Sequence, residues 1–393
     1  MACTAIAGGR VITPYEEFAP GLVLMQNDTI TEVGMMRCLP SDVVVVDATD
    51  RWVVPGFVDL HVHGSVGTLF ALASDACAVE ESAKAMLRSG TTAFCASVGS
   101  FGVTEEQQFL KAIDTIADAM ALNRTGARLL GIHLEGPFIS EEKAGVGKAW
   151  KKPKSRAWTR DDARRLLSHR PQSVRMVTVA PEIKSAAHII SECLNHSAIV
   201  AVGHSDATYE QAMSAISLGA RHATHTFNAM RRFHQREPGL AFATLSSDDV
   251  TNEFIADLRH LHASVIDVLL RAKPRDKAVL VTDGIGLSGM PEGIYRKYAD
   301  GVDITVHDGI AKLHDGTIAG SVLPMNLMLK NLVQVIGLPL SRALEVACAN
   351  PARQVGFADL GTLKRGHRAD VVVLNSDFEV EHVFVRGQKG WSR

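Results

Sequence analysis

The sequence predicts an α/β protein: a (β/α)8 TIM barrel with a small β-sandwich domain built from both chain termini. Three observations lead there. From about residue 53 onward, short β-rich segments alternate with longer helix-compatible ones, the order expected of parallel strands joined by crossover helices. The β-rich segments number eight and occupy roughly 230 residues, the size of a closed eightfold barrel. The two ends of the chain carry strand-and-turn sequence without a long helical pattern, so they are expected to pair with each other. The expected division is a β-domain of residues 1–52 plus 357–393 and a barrel of residues 53–356.

Along the chain, "GLVLMQNDTITEVG" and "DVVVVDA" supply the N-terminal part of the β-domain. The barrel strands are then "WVVPGFVDLHV", "TTAFCAS", "ARLLGIHLE", "VRMVTVAPE", "AIVAVGH", "ARHATHTF", "NEFIAD" and "KAVLVTDG". Between them, "CAVEESAKAMLRSG" and "DATYEQAMSAISLGA" show helical periodicity and end in glycine-containing sequence, a common way for a helix to stop. After the eighth strand, the DG turns of "ADGVDITVHDGIAKLHDG" predict hairpins inserted over residues 293–320. Helices near residues 322–356 close the barrel, and "GTLKRGHRADVVVLNSDFEVEHVFVRG" returns to the β-domain.

Composition narrows the function. With 393 residues, 46% of them hydrophobic, the chain can bury a large core. A formal net charge of -2 and the lack of an arginine-rich arm give no reason to expect nucleic acid, so a small-molecule partner is expected. The six cysteines are scattered without CxxC spacing, which indicates reduced thiols rather than a disulfide framework or a thiolate zinc site. No segment offers some 18 unbroken apolar residues, and the N-terminus lacks a basic stretch followed by an apolar one. A cytoplasmic protein without a membrane span is the expectation.

The first strand ends in "DLHVHGS". Side chains two apart on a strand share a face, so His61 and His63 aim their imidazoles at one point, where a metal ion fits. For an isolated HxH, two histidines hydrogen-bonded at a strand end are the better explanation. The remaining strands decide, because most of them also end in a ligand or an acid: His133 and Glu135 on the third, His204 on the fifth, His222 and His225 on the sixth, Asp283 on the eighth. In a barrel these ends converge on one mouth, and imidazoles with a carboxylate suit a divalent metal with an open position for water. Glu135 sits in a glycine-proline turn over the mouth and is read as the ligand, with His133 behind it. His222, three residues before His225, falls on the other face and is read as a packed or hydrogen-bonded histidine.

"PGFVDLHVHG", "HLEGPF", "GHSDATYEQ", "HATHTFNAM", "REPGL", "IAD", "VTD" and "AGS" occur in an order that resembles the amidohydrolase superfamily and, within it, the N-acetylglucosamine-6-phosphate deacetylase family. The resemblance spans most of the chain. It implies a metal held by Glu135, His204 and His225, with Asp283 as the catalytic carboxylate, and a second metal position completed by His61 and His63, with Glu135 able to bridge. One or two divalent ions per subunit follow, with zinc first and iron, manganese or cobalt as alternatives. The resemblance also implies an amino-sugar phosphate as substrate, with His260 facing it and Asn228 and Ala229 contacting its phosphate. By the same resemblance Arg236 would bind the phosphate from a neighbouring subunit, which implies a homodimer as the active unit. Four departures concern the substrate pocket. Gly147 stands where a histidine is expected, near Lys148, Lys151, Lys152 and Lys154. "ADLRH" puts Leu258 in a glycine position, "VTDG" replaces "VTDA", and "GSVLPMN" brings Pro324 and Asn326. Rival readings are another acetylated amino sugar, a cyclic amidohydrolase, for which the fourth strand offers no lysine, and a non-catalytic binding protein, which has no need of Asp283.

Overall fold

The computed structural model describes residues 3–99, 103, 105–122, 125–145, 157–297 and 302–393. Eight parallel strands form the central sheet: β1 (Phe57–Val62), β2 (Thr91–Gly99), β3 (Arg128–Glu135), β4 (Val174–Val179), β5 (Ile199–Val202), β6 (His222–Ala223), β7 (Thr251–Ile255) and β8 (Ala278–Val281). Each pairs with its neighbour in chain order. The ring closes just beyond β8, where Asp283 N–H donates to the His61 carbonyl (2.9 Å) and His63 N–H to the Gly284 carbonyl (2.7 Å). Every residue of β2 is buried, which is why such strands read as unbroken apolar runs instead of alternating ones.

The outer layer contains α1 (Ala76–Met86), α2 (Glu106–Leu122), α3 (Arg160–His169), α4 (Ala186–Asn195), α5 (Tyr209–Ser217), α6 (Gly239–Leu245), α7 (Ala263–Ala272) and α8 (Met325–Gln334). Local sequence starts several of them. Asp75 accepts from Ala78 N–H at the head of α1, and Thr159 and Thr208 form capping boxes with Asp162 and Gln211. In α2 the buried residues Phe109, Ala112, Ile113, Ile116 and Ala119 make one face, which packs on the barrel.

The stretch "WVVPGFVDLHV", expected as one strand, is two. Trp52–Pro55 lies between Arg10–Ile12 and Val371–Leu374 in a terminal sheet, and β1 starts at Phe57. Pro55 has no N–H to continue a ladder. At Gly56 a Cβ would stand 2.0 Å from the Thr92 hydroxyl, so the chain changes sheets where only glycine fits.

The chain termini form two sheets. One has four strands, in the order Thr29–Met35, Gly21–Gln26, Cys3–Ala7, Val44–Asp47; the other has six, in the order Gln388–Ser392, Val380–Val385, Val371–Leu374, Trp52–Pro55, Arg10–Ile12, Glu17–Phe18. They bury Ile6, Val23 and Ile30 of the first against Val53, Val371 and Phe384 of the second, a β-sandwich assembled from both ends of the chain. Arg128, at the start of β3, grips Asp370 of this unit through two hydrogen bonds of 2.7 and 3.1 Å.

Beyond β8 the expected insertion is an antiparallel meander, Gly293–Lys297, Val302–His307, Ile310–Leu313 and Ile318–Ser321, with a small core around Ile285, Leu287, Ile304 and Val306. Its last strand returns to the barrel mouth, where Ser321 N–H donates to the Asp283 carbonyl (3.1 Å). No helix among the described residues is long and apolar enough to cross a membrane, and all six cysteines are free thiols.

Candidate metal centre

The strand ends deliver their polar side chains to one point. His61 Nε2 lies 3.0 Å from Glu135 Oε1, and His63 Nε2 lies 3.0 Å from Glu135 Oε2. His204 and His225 bring their Nε2 atoms to 3.1 and 2.9 Å from the same Oε1. Asp283 Oδ1 is 3.4 Å from His61 Nε2 and 3.3 Å from His63 Nε2. The residues after β5, β6 and β8 share a backbone device: His204, His225 and Asp283 take φ of +46°, +28° and +49°. Non-glycine residues rarely do so, and each such position costs about 1–3 kcal/mol. That sharp turn swings each side chain into the mouth as soon as its strand ends.

Two overlapping groups of donors result: His61, His63, Glu135 and Asp283, and Glu135, His204 and His225. Donor atoms around an ion with bonds of about 2.1 Å stand about 3.0 Å apart in an octahedron and about 3.4 Å in a tetrahedron, and the contacts above span 2.9–3.4 Å. Hydrogen bonds alone fit poorly here, because His204 Nε2 and His225 Nε2 face each other at 3.0 Å while both crowd one carboxylate oxygen. The electrostatics agree. Burial opposes charging His61 and His63, yet the carboxylates of Glu135, Glu253 and Asp283 hold His61 well above the usual histidine range, and Glu135 and Asp283 lift His63 to about 9. Burial likewise opposes the Asp283 carboxylate, but His61 and His63 hold it below its ordinary value. The carboxylates demand positive charge at this point, and a divalent cation supplies it while displacing the protons. The residues fit a metal.

Behind the cluster, His133 does not face the mouth: its ring contacts the Ser97 hydroxyl (3.2 Å) and the Thr178 hydroxyl (2.8 Å). Burial pushes it down to about 3, so it stays neutral. His222 is buried and donates to Glu253 Oε1 at 2.8 Å. Glu253 escaped the sequence reading. It sits inside "NEFIAD" of β7 with no motif around it, and its only signal is a carboxylate in a fully buried strand. The carbonyl of Lys143, also missed, accepts from His204 Nδ1 at 2.7 Å.

A cavity of about 570 Å³ opens above the cluster, with His63, Glu135, His204, His225 and Asp283 on its floor. Asn228, Ala229 and His260 line it, as do Met230, Arg232 and the strand end Thr317–Gly320. His260 is anchored by Asp257, whose Oδ2 lies 2.6 Å from Nδ1, leaving Nε2 as its remaining polar atom. Arg236 is exposed and lies outside the lining of this chain's cavity. Arg232, four residues earlier, is the cation of that loop that lines it; the sequence run "RRFHQRE" gave no means of telling the two apart. Leu258 keeps the left-handed backbone of the glycine it replaces, with φ of +60°, and packs on the core. Asn326 donates to the Phe378 carbonyl at 2.9 Å, and neither residue lines the cavity. Gly147 and the neighbouring lysines lie outside the described residues.

Fold and donor set together define a barrel hydrolase of the metal-dependent kind, and sequence comparison agrees. The profile of the Amidohydrolase family matches residues 52–389, and the chain belongs to that family. It is 32% identical to the N-acetylglucosamine-6-phosphate deacetylase of Bacillus subtilis (strain 168), over 96% of this chain and 94% of that one. It is 30% identical to the N-acetylgalactosamine-6-phosphate deacetylase of Escherichia coli O157:H7, over 89% and 90% of the two chains. Among solved structures, a mutant N-acetyl-D-glucosamine-6-phosphate deacetylase from Mycobacterium smegmatis, in complex with N-acetyl-D-glucosamine-6-phosphate, superposes with a TM-score of 0.88 at 32% identity, covering 100% of both chains.

Proposed function

We propose that this chain is a metal-dependent deacetylase that hydrolyses the N-acetyl amide of an amino-sugar 6-phosphate, with N-acetylglucosamine 6-phosphate as the preferred substrate, releasing acetate. The observation that carries the reading is Asp283, a half-buried, ionised carboxylate among the imidazole-carboxylate donor groups at the floor of the cavity. The names of the relatives at 30–32% identity support the substrate class.

Glu135, His204 and His225 would hold one ion, and His61 and His63, with Glu135 bridging, a second; zinc is the metal we assign. A divalent ion there supplies Lewis-acid polarisation of the amide carbonyl and lowers the pKa of water to about 7 in favourable sites. Asp283 takes a proton from the attacking water as the C–O bond forms and returns it to nitrogen as the C–N bond breaks, so that the amine leaves neutral. His260, held by Asp257, offers Nε2 to an oxygen of the substrate. Asn228, Ala229 and Arg232 face the phosphate.

We further assign a cytoplasmic homodimer in which Arg236 serves the cavity of the partner subunit. In support, Arg236 is exposed outside its own cavity, on the loop that carries the exposed Phe233. The domain division at residues 52/53 and 356/357 belongs to the same reading, with the pairing of Trp52–Pro55 favouring Phe57 as the first barrel residue.

The galactosamine 6-phosphate alternative is favoured by the relative from Escherichia coli O157:H7 and by Gly147. Acetate release from the 6-phosphates of N-acetylglucosamine, N-acetylgalactosamine and N-acetylmannosamine, with unphosphorylated N-acetylglucosamine as control, separates the sugars. No release from any of them overturns the reading. Asp283→Asn should keep the metal and lower kcat by about two to four orders of magnitude; near-normal turnover assigns the proton to another group.

A further inference from the structure

Glu253 does not line the cavity, yet it is bound to the cluster from below. It is the third residue of β7 and fully buried. Its Oε2 lies 3.0 Å from His61 Nδ1 and 3.1 Å from the backbone nitrogen of His225, and its Oε1 lies 2.8 Å from His222 Nε2. A charge left uncompensated in a barrel interior costs several kcal/mol; here three donors on two oxygens compensate it. Both oxygens face only nitrogens, and one of these is the His225 backbone N–H, which can only donate, so the carboxylate serves as the acceptor.

That constraint fixes the chemistry of His61. Its Nδ1 must carry the proton donated to Glu253, so Nε2, which faces Glu135, His63 and Asp283, is the nitrogen that would give up its proton and offer a lone pair to a cation. A carboxylate behind a ligating imidazole also raises the basicity of the ligand. His204 has a weaker arrangement, with the neutral Lys143 carbonyl behind its Nδ1, and the Nδ1 of His225 has no hydrogen-bond partner among the described residues. The two donor groups thus differ in what stands behind them.

We infer that Glu253 is a positioning residue for the second metal position: it locks His61 in the Nδ1–H tautomer and so sets the affinity of the His61/His63 site, while the Glu135/His204/His225 site depends on it far less. The inference rests on the metal-centre reading proposed above. The same Oε2 also takes the His225 N–H, but that contact is to the main chain and not to the imidazole ring. In Glu253→Gln the amide keeps the shape. It is a neutral, weaker acceptor for His61 Nδ1–H, or, turned round, a donor that drives the His61 proton onto Nε2.

The test is direct metal binding. Wild type and Glu253→Gln, stripped and then equilibrated in buffered free zinc, are compared by elemental analysis and by competition with a chromophoric chelator. Wild type should take two ions per chain. In the variant the weaker site should lose about 10- to 100-fold in affinity, the range for a lost outer carboxylate, with the tighter site changed less than about threefold. Equal affinities in both proteins, an equal loss at both sites, or a single ion in wild type each overturn the inference. A wild type that binds no zinc overturns the metal-centre reading itself, before any variant is made. Should Glu253→Gln not fold, the tautomer is read in zinc-loaded wild type labelled with 15N-histidine. A proton on His61 Nδ1 and none on Nε2 is expected, and the reverse overturns the inference.

Discussion

Strand β3 is eight residues long and carries a buried charge at each end. At its start, Arg128 meets Asp370 in a two-bonded pair, and Asp370 Oδ1 also takes the Arg386 N–H at 2.8 Å. Donors and acceptors match, and no further group is needed. At its end, Glu135 is crowded by four imidazoles, three of them on one oxygen, with a second carboxylate close by. Here the charges are complete only with a cation among them. A strand can thus be anchored at one end by an ion pair that satisfies itself while holding open, at the other, a site that requires a ligand. This matches the general division of labour in such barrels, with stability at the N-terminal ends of the strands and chemistry at the C-terminal ends.

The sharpest break of that contrast is at His225. His225→Ala should abolish binding at the tighter metal position and reduce acetate release to background, whereas His61→Ala should lower stoichiometry or rate less. A metal-free, fully active His225→Ala protein would falsify the assignment of the C-terminal end as a metal centre. Elemental analysis beside an acetate assay decides it.

At the other end the expected effect is on stability alone. Arg128→Met strands Asp370 in the interior and should cost about 3–5 kcal/mol in urea denaturation. Metal content and kcat/KM of the folded protein should stay as in wild type. A variant of normal stability but altered kcat/KM would show that the two ends of the strand are not separable.

The smallest effect sharpens the picture at the rim. Arg232→Ala removes one charge-assisted hydrogen bond and should raise KM for the 6-phosphate about tenfold, leaving the unphosphorylated sugar unaffected. Arg236→Ala should do the same only if the loop serves a neighbouring subunit. In that case mixing Arg236→Ala with Asp283→Asn chains restores some activity in verified mixed dimers. An unchanged KM for the 6-phosphate in Arg232→Ala would remove that residue from phosphate binding.

Much of this was legible in the sequence, for local reasons. Strand alternation is enough to put His61 and His63 on one face, and the barrel pattern is enough to send Glu135, His204, His225 and Asp283 to the same mouth as those two. Glycines such as Gly90 mark where helices stop, since a helix end is set within a few residues. The HxH, the "HLEGPF" turn and the "VTD" segment each carry their signal within a few positions.

Other features depended on what lies across the barrel. Whether a carboxylate in "NEFIAD" is a solvated edge or a buried anchor is decided by His61 and His222, 192 and 31 residues away. Which arginine of "RRFHQRE" faces the cavity is decided by a loop path that no periodicity encodes. The split of the first strand at Pro55 and Gly56 is set by Thr92 on the adjoining strand. Sequence by itself determined the order of strands and helices and which residues stand at the strand ends, because those follow from backbone periodicity and local hydrogen bonding. Only the tertiary structure decided which side chains stand behind the candidate metal ligands and which face the cavity, because burial and pairing are properties of surfaces brought together from distant parts of the chain.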